Sequence, residues 1–320
     1  PVKNLDDLGF PARDLDLFES SYRPDTIGGH LVTSRGCPYN CSFCGSKLIW
    51  GRKARCNSSN HTVEEMWEMV NRYGTNHFHF DNDDLTFNRR LLVELCENII
   101  ETGLARRVTW RTTARVNHVD TEVLKIMKKA GCIMLKFGIE SGSDRILREI
   151  HKSFTVEQAS EACRLVRKAG IHVHTYFMAG FPQETPEDLK LTADLMQNIE
   201  TDTTLLNIFS PMPGTELYDY AIAEGLLSPG EDLSLYPMTS LRNYLAHNID
   251  REDFNRMVYV MEELADKINN RFMTQLRFKW KLHRKSLLRD CFLYSDILRK
   301  VVETVFPAGT KLKREQEKSQ

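Results

Sequence analysis

The sequence predicts an α/β fold: a partial, open parallel βα barrel of about six units with a C-terminal helical extension. Three observations carry this reading. Short β-type runs alternate with helical stretches through the first two-thirds of the chain, and capping signals mark where the helices start. From about Asp250 onward, apolar residues follow helical spacing alone.

Residues 1–29 read as a linker-like segment. Candidate strands follow at His30–Arg35, Asn76–Asp81, Val108–Thr113, Ile133–Glu140, His172–Ala179 and Thr203–Ser210, each about one βα unit from the next. Between them, Thr62-Val63-Glu64-Glu65 and Thr155-Val156-Glu157-Gln158 carry the capping-box pattern, in which hydroxyl and carboxyl or amide satisfy each other's free backbone N–H. Thr185-Pro186-Glu187-Asp188 adds proline at the first helical position, where its missing N–H costs nothing. Gly103, Gly131, Gly170 and Gly225 stand at the expected helix ends. Six such units fall short of a closed eightfold barrel, so residues 30–235 are expected to form an open one. Residues 236–308 read as a helical cap, on the spacing of Phe254, Met257, Val258, Met261, Leu264 and Ile268 and again from Phe292 to Val305. Within it, Arg271 to Arg289 is a basic stretch interleaved with apolar residues. It is either a solvated helix face or a contact for anionic lipid or an acidic partner. Residues 309–320 are charged, apolar-poor and expected to be disordered.

With 43 basic and 44 acidic side chains, the net charge of −1 argues against nucleic-acid binding through an overall basic surface. No apolar run approaches the length of a membrane-spanning helix, and Pro1 to Asp7 lacks the layout of a signal peptide. The start without Met points to a trimmed or cleaved part of a longer chain. The 8 cysteines are too few and too unevenly spaced for a disulfide scaffold, which points to a reducing, cytoplasmic compartment. Cys96, Cys132 and Cys163 read as small buried hydrophobes. Only Cys291 follows the barrel, which argues against a domain for an auxiliary cluster.

The most informative segment is Ser34-Arg35-Gly36-Cys37-Pro38-Tyr39-Asn40-Cys41-Ser42-Phe43-Cys44-Gly45. Cys37, Cys41 and Cys44 share one loop after the first strand, and thiolates cluster in this way to hold a soft metal. A four-iron cluster has four corners, so three thiolates leave one open, the mark of a catalytic rather than a closed site. The competing reading is a structural zinc with Cys56 or His61 as fourth ligand. The remaining strand ends are also polar. Asp81, Asp83 and Asp84 would repel one another on a plain turn, so either a cation lies nearby or they form an Asx-rich helix start. Arg111 and Arg115 can grip a carboxylate or serve as rim ion pairs. His77, His79, His172 and His174 alternate along strands and read as barrel fillers.

The cysteine loop resembles that of radical S-adenosylmethionine (SAM) enzymes, and the resemblance extends over residues 30 to about 220. It implies a [4Fe–4S] cluster on Cys37, Cys41 and Cys44, with SAM on the open iron and reductive cleavage to a 5′-deoxyadenosyl radical. Phe43 is the family's aromatic, and Gly45 counts with it among the cofactor-binding positions. By position, Asp81 and Asp83 match the strand end that receives the SAM ammonium, and Lys152 the basic residue for its carboxylate. Arg115 is assigned to the same cofactor site. Glu140 and Ser141, in Gly138-Ile139-Glu140-Ser141-Gly142-Ser143, match the segment reaching the ribose and methionyl portions. Pro211 opens Pro211-Met212-Pro213-Gly214-Thr215-Glu216-Leu217-Tyr218, which resembles the turn beside the adenine. Gln183 departs from the family's glycine in the turn after the fifth strand, and Met212 stands where an aromatic is common. Asn4 to Asp14 resembles the linker that joins a cobalamin domain to the barrel in cobalamin-dependent members. That subfamily includes methylases of unreactive carbon or phosphorus and an oxidative ring cyclase, and it implies cobalamin held by a domain outside this chain. The expectation is therefore hydrogen abstraction from a small or medium organic substrate, with an electron donor such as flavodoxin or ferredoxin. The alternatives are a tRNA-directed methylthiotransferase-like enzyme and a non-enzymatic iron–sulfur or zinc module.

Overall fold

The computed structural model describes residues 2–13, 29–241 and 243–271, together with Thr274 and Leu276. Strand β1 (His30–Leu31) leads into β2 (Ser34–Arg35), helix α1 (Ser46–Trp50), β3 (Arg55–Cys56) and α2 (Ser59–Tyr73). Next come β4 (His77–Phe80), α3 (Arg89–Glu101), β5 (Thr109–Ala114), α4 (Thr121–Lys129) and β6 (Cys132–Glu140). The chain continues through α5 (Asp144–Glu149), α6 (Val156–Lys168), β7 (His172–Ala179), α7 (Pro186–Asn198), β8 (Thr203–Ile208), α8 (Glu216–Ala223) and α9 (Arg251–Asn269).

Six strands form one parallel sheet in the order β1-β4-β5-β6-β7-β8, and β1 does not pair with β8. This is the expected open barrel. Alternation along the strands divides its two faces. Phe78, Phe80, Trp110, Phe137 and Phe177 are fully buried on the outer face in one core with Met66, Met69 and Leu92 of the helices. The Trp110 indole N–H donates to the Ala130 carbonyl at 2.8 Å, so even the largest core side chain is satisfied. His79, Arg111 and Lys136, at the alternate positions of β4, β5 and β6, are left on the inner, concave face.

The expected first strand is in fact two. Asn82 accepts from the Thr33 N–H at 3.0 Å and donates to the Thr33 hydroxyl at 2.8 Å, removing Thr33 from any ladder. β1 therefore stays in the large sheet, while β2 pairs antiparallel with β3, closing the neck of the cysteine loop. The capping box expected at Thr62 is also corrected. α2 begins four residues earlier, because Ser58 accepts from the His61 N–H at 3.1 Å, and the Thr62 hydroxyl instead donates to the Ser58 carbonyl. The boxes at Thr155 and Thr185 form as expected, with Pro186 in the first turn. Gly103, Gly131, Gly170 and Gly225 all hold positive φ.

Helix α9 packs on α7 and β8. The Asn269 side chain bonds both the N–H and the carbonyl of Thr204 at 2.8 Å, fastening the end of α9 to the start of β8. The first compact unit accordingly runs to Arg271, so α9 belongs with the barrel. The second unit, Phe272–Gln320, holds nearly all of the basic stretch, the Phe292–Val305 pattern, Cys291 and the charged tail, and apart from Thr274 and Leu276 it lies outside the described residues. Among the described residues, no helix is long and apolar enough to cross a membrane.

Candidate functional site

The cysteine loop lies at the carboxyl edge of the sheet, tied down from three sides. The Ser42 N–H donates to the Ile150 carbonyl at 3.2 Å, and the Ser42 carbonyl accepts from Leu217 N–H at 3.1 Å. His151 Nδ1 lies 3.1 Å from the Asn40 carbonyl. A polar relay anchors the loop from below. The Tyr39 hydroxyl hydrogen-bonds His118 Nε2, and His118 Nδ1 lies 3.1 Å from the buried Asp84, whose other oxygen accepts from Thr86. Arg115 covers the Tyr39 ring at 3.9 Å, bonds the Lys152 carbonyl and places a guanidinium nitrogen 3.9 Å from Cys41 Sγ.

The donor set fits a thiolate-held cluster. Cys37, Cys41 and Cys44 are half-buried free thiols. Backbone N–H groups of Tyr39 and Ser46 point to Cys37 and Cys44, and Arg115 donates toward Cys41. Each sulfur thus has a donor suited to negative charge. With no metal bound, burial and then the Asp84 and Asp83 carboxylates push the Cys37 thiol up to about 11, so metal would displace a proton there. Tetrahedral zinc holds its sulfurs at about 2.3 Å, hence within about 4 Å of one another. Among the described residues, the group with three ligand atoms mutually within 4.8 Å is His30, His79 and Asp81, not the cysteines. The loop thiols do not form such a group, and three thiols in one loop, each with a donor aimed at its sulfur, suit an iron–sulfur cluster.

The other expected residues divide into two sets. Phe43, Arg115, Glu140 and Lys152 gather beside the loop. Lys152 Nζ lies 3.1 Å from Glu140 Oε1, both side chains about nine-tenths buried, and the ammonium sits over the Phe43 and Phe154 rings at 5.7 and 5.6 Å. The backbone here is unusual: Glu140, His151 and Ser153 have φ of 70°, 58° and 56°, the three non-glycine residues in the left-handed region among those described. Such conformations are costly and collect where a site must be held in one shape. Gly138 makes room for the pair, since a Cβ there would stand 2.3 Å from Glu140 Oε1. Gly45 lies under Met212, whose sulfur would be 2.0 Å from a Cβ, and buried Pro211 begins that covering turn.

The second set is less simply placed. The three acids after β4 part company. Asp83 is exposed and accepts from the Ser46 hydroxyl at 2.7 Å, next to the loop; Asp81 pairs with His30 and lies 3.1 Å from His79; Asp84 is buried in the relay. Ser141 is fully buried, 3.3 Å from the Thr192 hydroxyl and accepting from Ser143 N–H, so it holds the β6–α7 packing rather than facing the loop. Arg111 and Arg115 do not converge as a clamp, one of the two readings their spacing allows, because Arg115 is spent on the loop while Arg111 stays inside the barrel. Of the histidines read as fillers, His174 fits, bonding Thr203 and packing edge-on against Tyr176 at 4.6 Å. His79 instead joins a polar group with Lys136. The Tyr39–His118–Asp84 relay escaped the sequence reading, whose available signal was a tyrosine inside the cysteine loop. Cys96, Cys132 and Cys163 are fully buried as expected.

Comparison with known proteins bears on the same region. The model of the radical SAM superfamily matches residues 31–196. An uncharacterized methyltransferase of Pyrococcus horikoshii is 33% identical over 271 residues, covering 83% of this chain and 58% of the relative. The anaerobic magnesium-protoporphyrin IX monomethyl ester cyclase of Cereibacter sphaeroides is 34% identical over 187 residues, 58% of this chain and 30% of the relative. The chain thus spans little more than half of the first relative's length and under a third of the second's. The radical SAM methyltransferase TsrM from Kitasatospora setae, solved with cobalamin and a [4Fe–4S] cluster, superposes with a TM-score of 0.61 at 18% identity, over 76% of this chain and 52% of that one. At that identity the likeness concerns the fold. With the cysteine loop at the carboxyl edge of an open six-stranded parallel barrel and the family match across it, the chain belongs to the radical SAM superfamily.

Proposed function

We propose that this chain is the SAM-cleaving region of an enzyme that abstracts hydrogen from a small or medium organic substrate, leading to methylation or oxidative cyclisation. The observation that carries the reading is the gathering of three donor-supported thiols with the buried Lys152–Glu140 pair at one barrel edge. Cys37, Cys41 and Cys44 hold the [4Fe–4S] cluster, which when bound supplies the electron that cleaves SAM to methionine and a 5′-deoxyadenosyl radical. Lys152 faces the SAM carboxylate and Asp83 its ammonium, while Phe43 and the Met212 turn flank the site. Where the outcome is methylation, the methyl donor is cobalamin held outside these residues; a flavodoxin or ferredoxin in the cytoplasm provides the electron. The names of the relatives, a methyltransferase and a cyclase, support both outcomes.

The test is anaerobic reconstitution followed by turnover with SAM and a chemical reductant, quantifying 5′-deoxyadenosine and S-adenosylhomocysteine separately by mass spectrometry. The expected result is about four irons per chain and slow formation of 5′-deoxyadenosine. Both should be lost in Cys37→Ala, Cys41→Ala and Cys44→Ala and retained in Cys56→Ala. Stoichiometric zinc without iron would overturn the reading.

A further inference from the structure

Inside the open barrel lies a cationic group that the proposed SAM contacts do not use. Lys136 Nζ stands 2.8 Å from His79 Nε2, although the two residues lie on strands separated by β5. Only the concave face allows that approach, since the helices cover the other. Arg111 is the residue of β5 in register with His79, and His174 is the residue of β7 in register with Lys136.

Among the described residues, neither Arg111 nor Lys136 has a carboxylate in ion-pair contact, and the buried Arg111 Nε has no hydrogen-bond partner. The nearby carboxylates have other contact partners, Asp81 with His30 and His79 and Glu140 with Lys152, although the Asp81 charge also reaches Lys136. Partly buried charges in proteins are normally paired, and a guanidinium with an unmet N–H beside an ammonium is a costly arrangement without an anion. The strain registers in the neighbours. Burial and then the Lys136 and Arg111 charges pull His79 down to about 4; burial, Lys136, His172 and Arg111 do the same to His174.

A divalent cation at His30, His79 and Asp81 is the competing occupant. A charged lysine only donates, so His79 Nε2 accepts from Lys136 and the neutral ring carries its proton on Nδ1, which lies 3.1 Å from Asp81 without making a hydrogen bond. That nitrogen cannot ligate, and the adjacent ammonium repels a dication.

We propose that Arg111 and Lys136 bind an oxyanion, a carboxylate or phosphoryl group at the far end of the substrate, inside the barrel. This rests on the function proposed above and narrows it to an anionic substrate. The planar guanidinium suits bidentate pairing with either oxyanion, and Lys136 adds a point charge. Lys152 Nζ lies against Gly138, two residues beyond Lys136 on β6, so the two cationic positions stand about 7 Å apart along the strand. The anchor is therefore distinct from the Lys152 position assigned to SAM and sets the depth to which a substrate enters.

The experiment is calorimetric titration of the reconstituted, SAM-loaded protein with inorganic phosphate and, separately, with acetate. Wild type should bind at least one with a Kd of about 10 mM or tighter, and the tighter anion identifies the group. Arg111→Gln and Lys136→Met should each weaken it tenfold or more at unchanged iron content and circular dichroism. The exposed-lysine control Lys190→Gln should bind as wild type. Failure of wild type to bind either anion, or wild-type binding by both variants, would overturn the assignment. SAM cleavage by the same wild-type sample separates the two readings: cleavage without anion binding removes the anchor alone, and anion binding without cleavage removes the proposed reaction alone.

Discussion

Replacing Lys152 with methionine should destabilise the protein through the charge it leaves behind. In the folded chain the Lys152 ammonium lies 3.1 Å from Glu140 Oε1, with side-chain exposures of 8% and 10%. Deleting one partner of such a pair strands the other, at a cost of roughly 3–5 kcal/mol, whereas replacing both with neutral groups of similar size is often close to neutral. Methionine keeps the length of lysine, so the cavity contribution is small. The two ring contacts with Phe43 and Phe154 add about 0.5–1 kcal/mol each and are lost in both variants. Lys152→Met should therefore lose about 4–7 kcal/mol and Glu140→Gln/Lys152→Met about 1–2 kcal/mol. Urea unfolding of the metal-free protein, read by fluorescence at a constant m value, measures both, with Glu140→Gln completing the cycle. A single variant within about 1 kcal/mol of wild type, or a double variant as damaged as the single, would refute the claim that the pair is desolvated and mutually dependent. SAM affinity of the double variant then reports what Lys152 contributes to the ligand apart from holding the fold.

Glu184 accepts from the Gly180 and Phe181 N–H groups in full burial, and burial pushes it up to about 8. The folded state therefore holds a proton that the unfolded chain releases near pH 4.5. Stability should fall as pH rises from about 5 to 8 by up to roughly 3 kcal/mol, a slope that thermal unfolding across pH should find reduced in Glu184→Gln. Gly142→Ala should cost roughly 1–3 kcal/mol in chemical denaturation, because the added carbon would lie 2.3 Å from the Leu191 carbonyl oxygen of α7, which is backbone and cannot swing away. Arg115→Met should make a reconstituted cluster harder to reduce, since a positive charge beside Cys41 is removed. An anaerobic redox titration followed by electron paramagnetic resonance would show an unchanged potential if that contact did not matter.

Most of the fold was legible because its signals are local. Thr155 and Thr185 cap the helices they precede, and six strands spaced as βα units have little choice but to pair in chain order. What escaped depends on contacts distant in sequence. The two-residue strands β2 and β3 are too short for any period to show, and their pairing becomes visible only once Asn82 draws Thr33 out of the first strand. At α2, the pattern at Thr62 was sound in itself, but Ser58 lay upstream with the same chemistry and captured the helix start.

The site shows the same division, with a physical reason behind it. Three cysteines in one loop need no tertiary information to be read as ligands, since the loop itself brings them together. Asp81, Asp83 and Asp84 look equivalent along the chain, yet backbone direction sends one to His30 and His79, one to the cysteine loop and one into a buried relay with His118. Spacing cannot sort them, because the sorting depends on which neighbours fold against each face. The barrel interior is harder still. Alternation tells that Arg111 and Lys136 share a face with His79, but a strand with one polar face reads the same whether that face meets solvent or curls inward. Curvature turns an ordinary polar face into a concave one, where two cations without a carboxylate in ion-pair contact stand close together. The place where the sequence was least explicit is thus the place from which the oxyanion anchor is proposed.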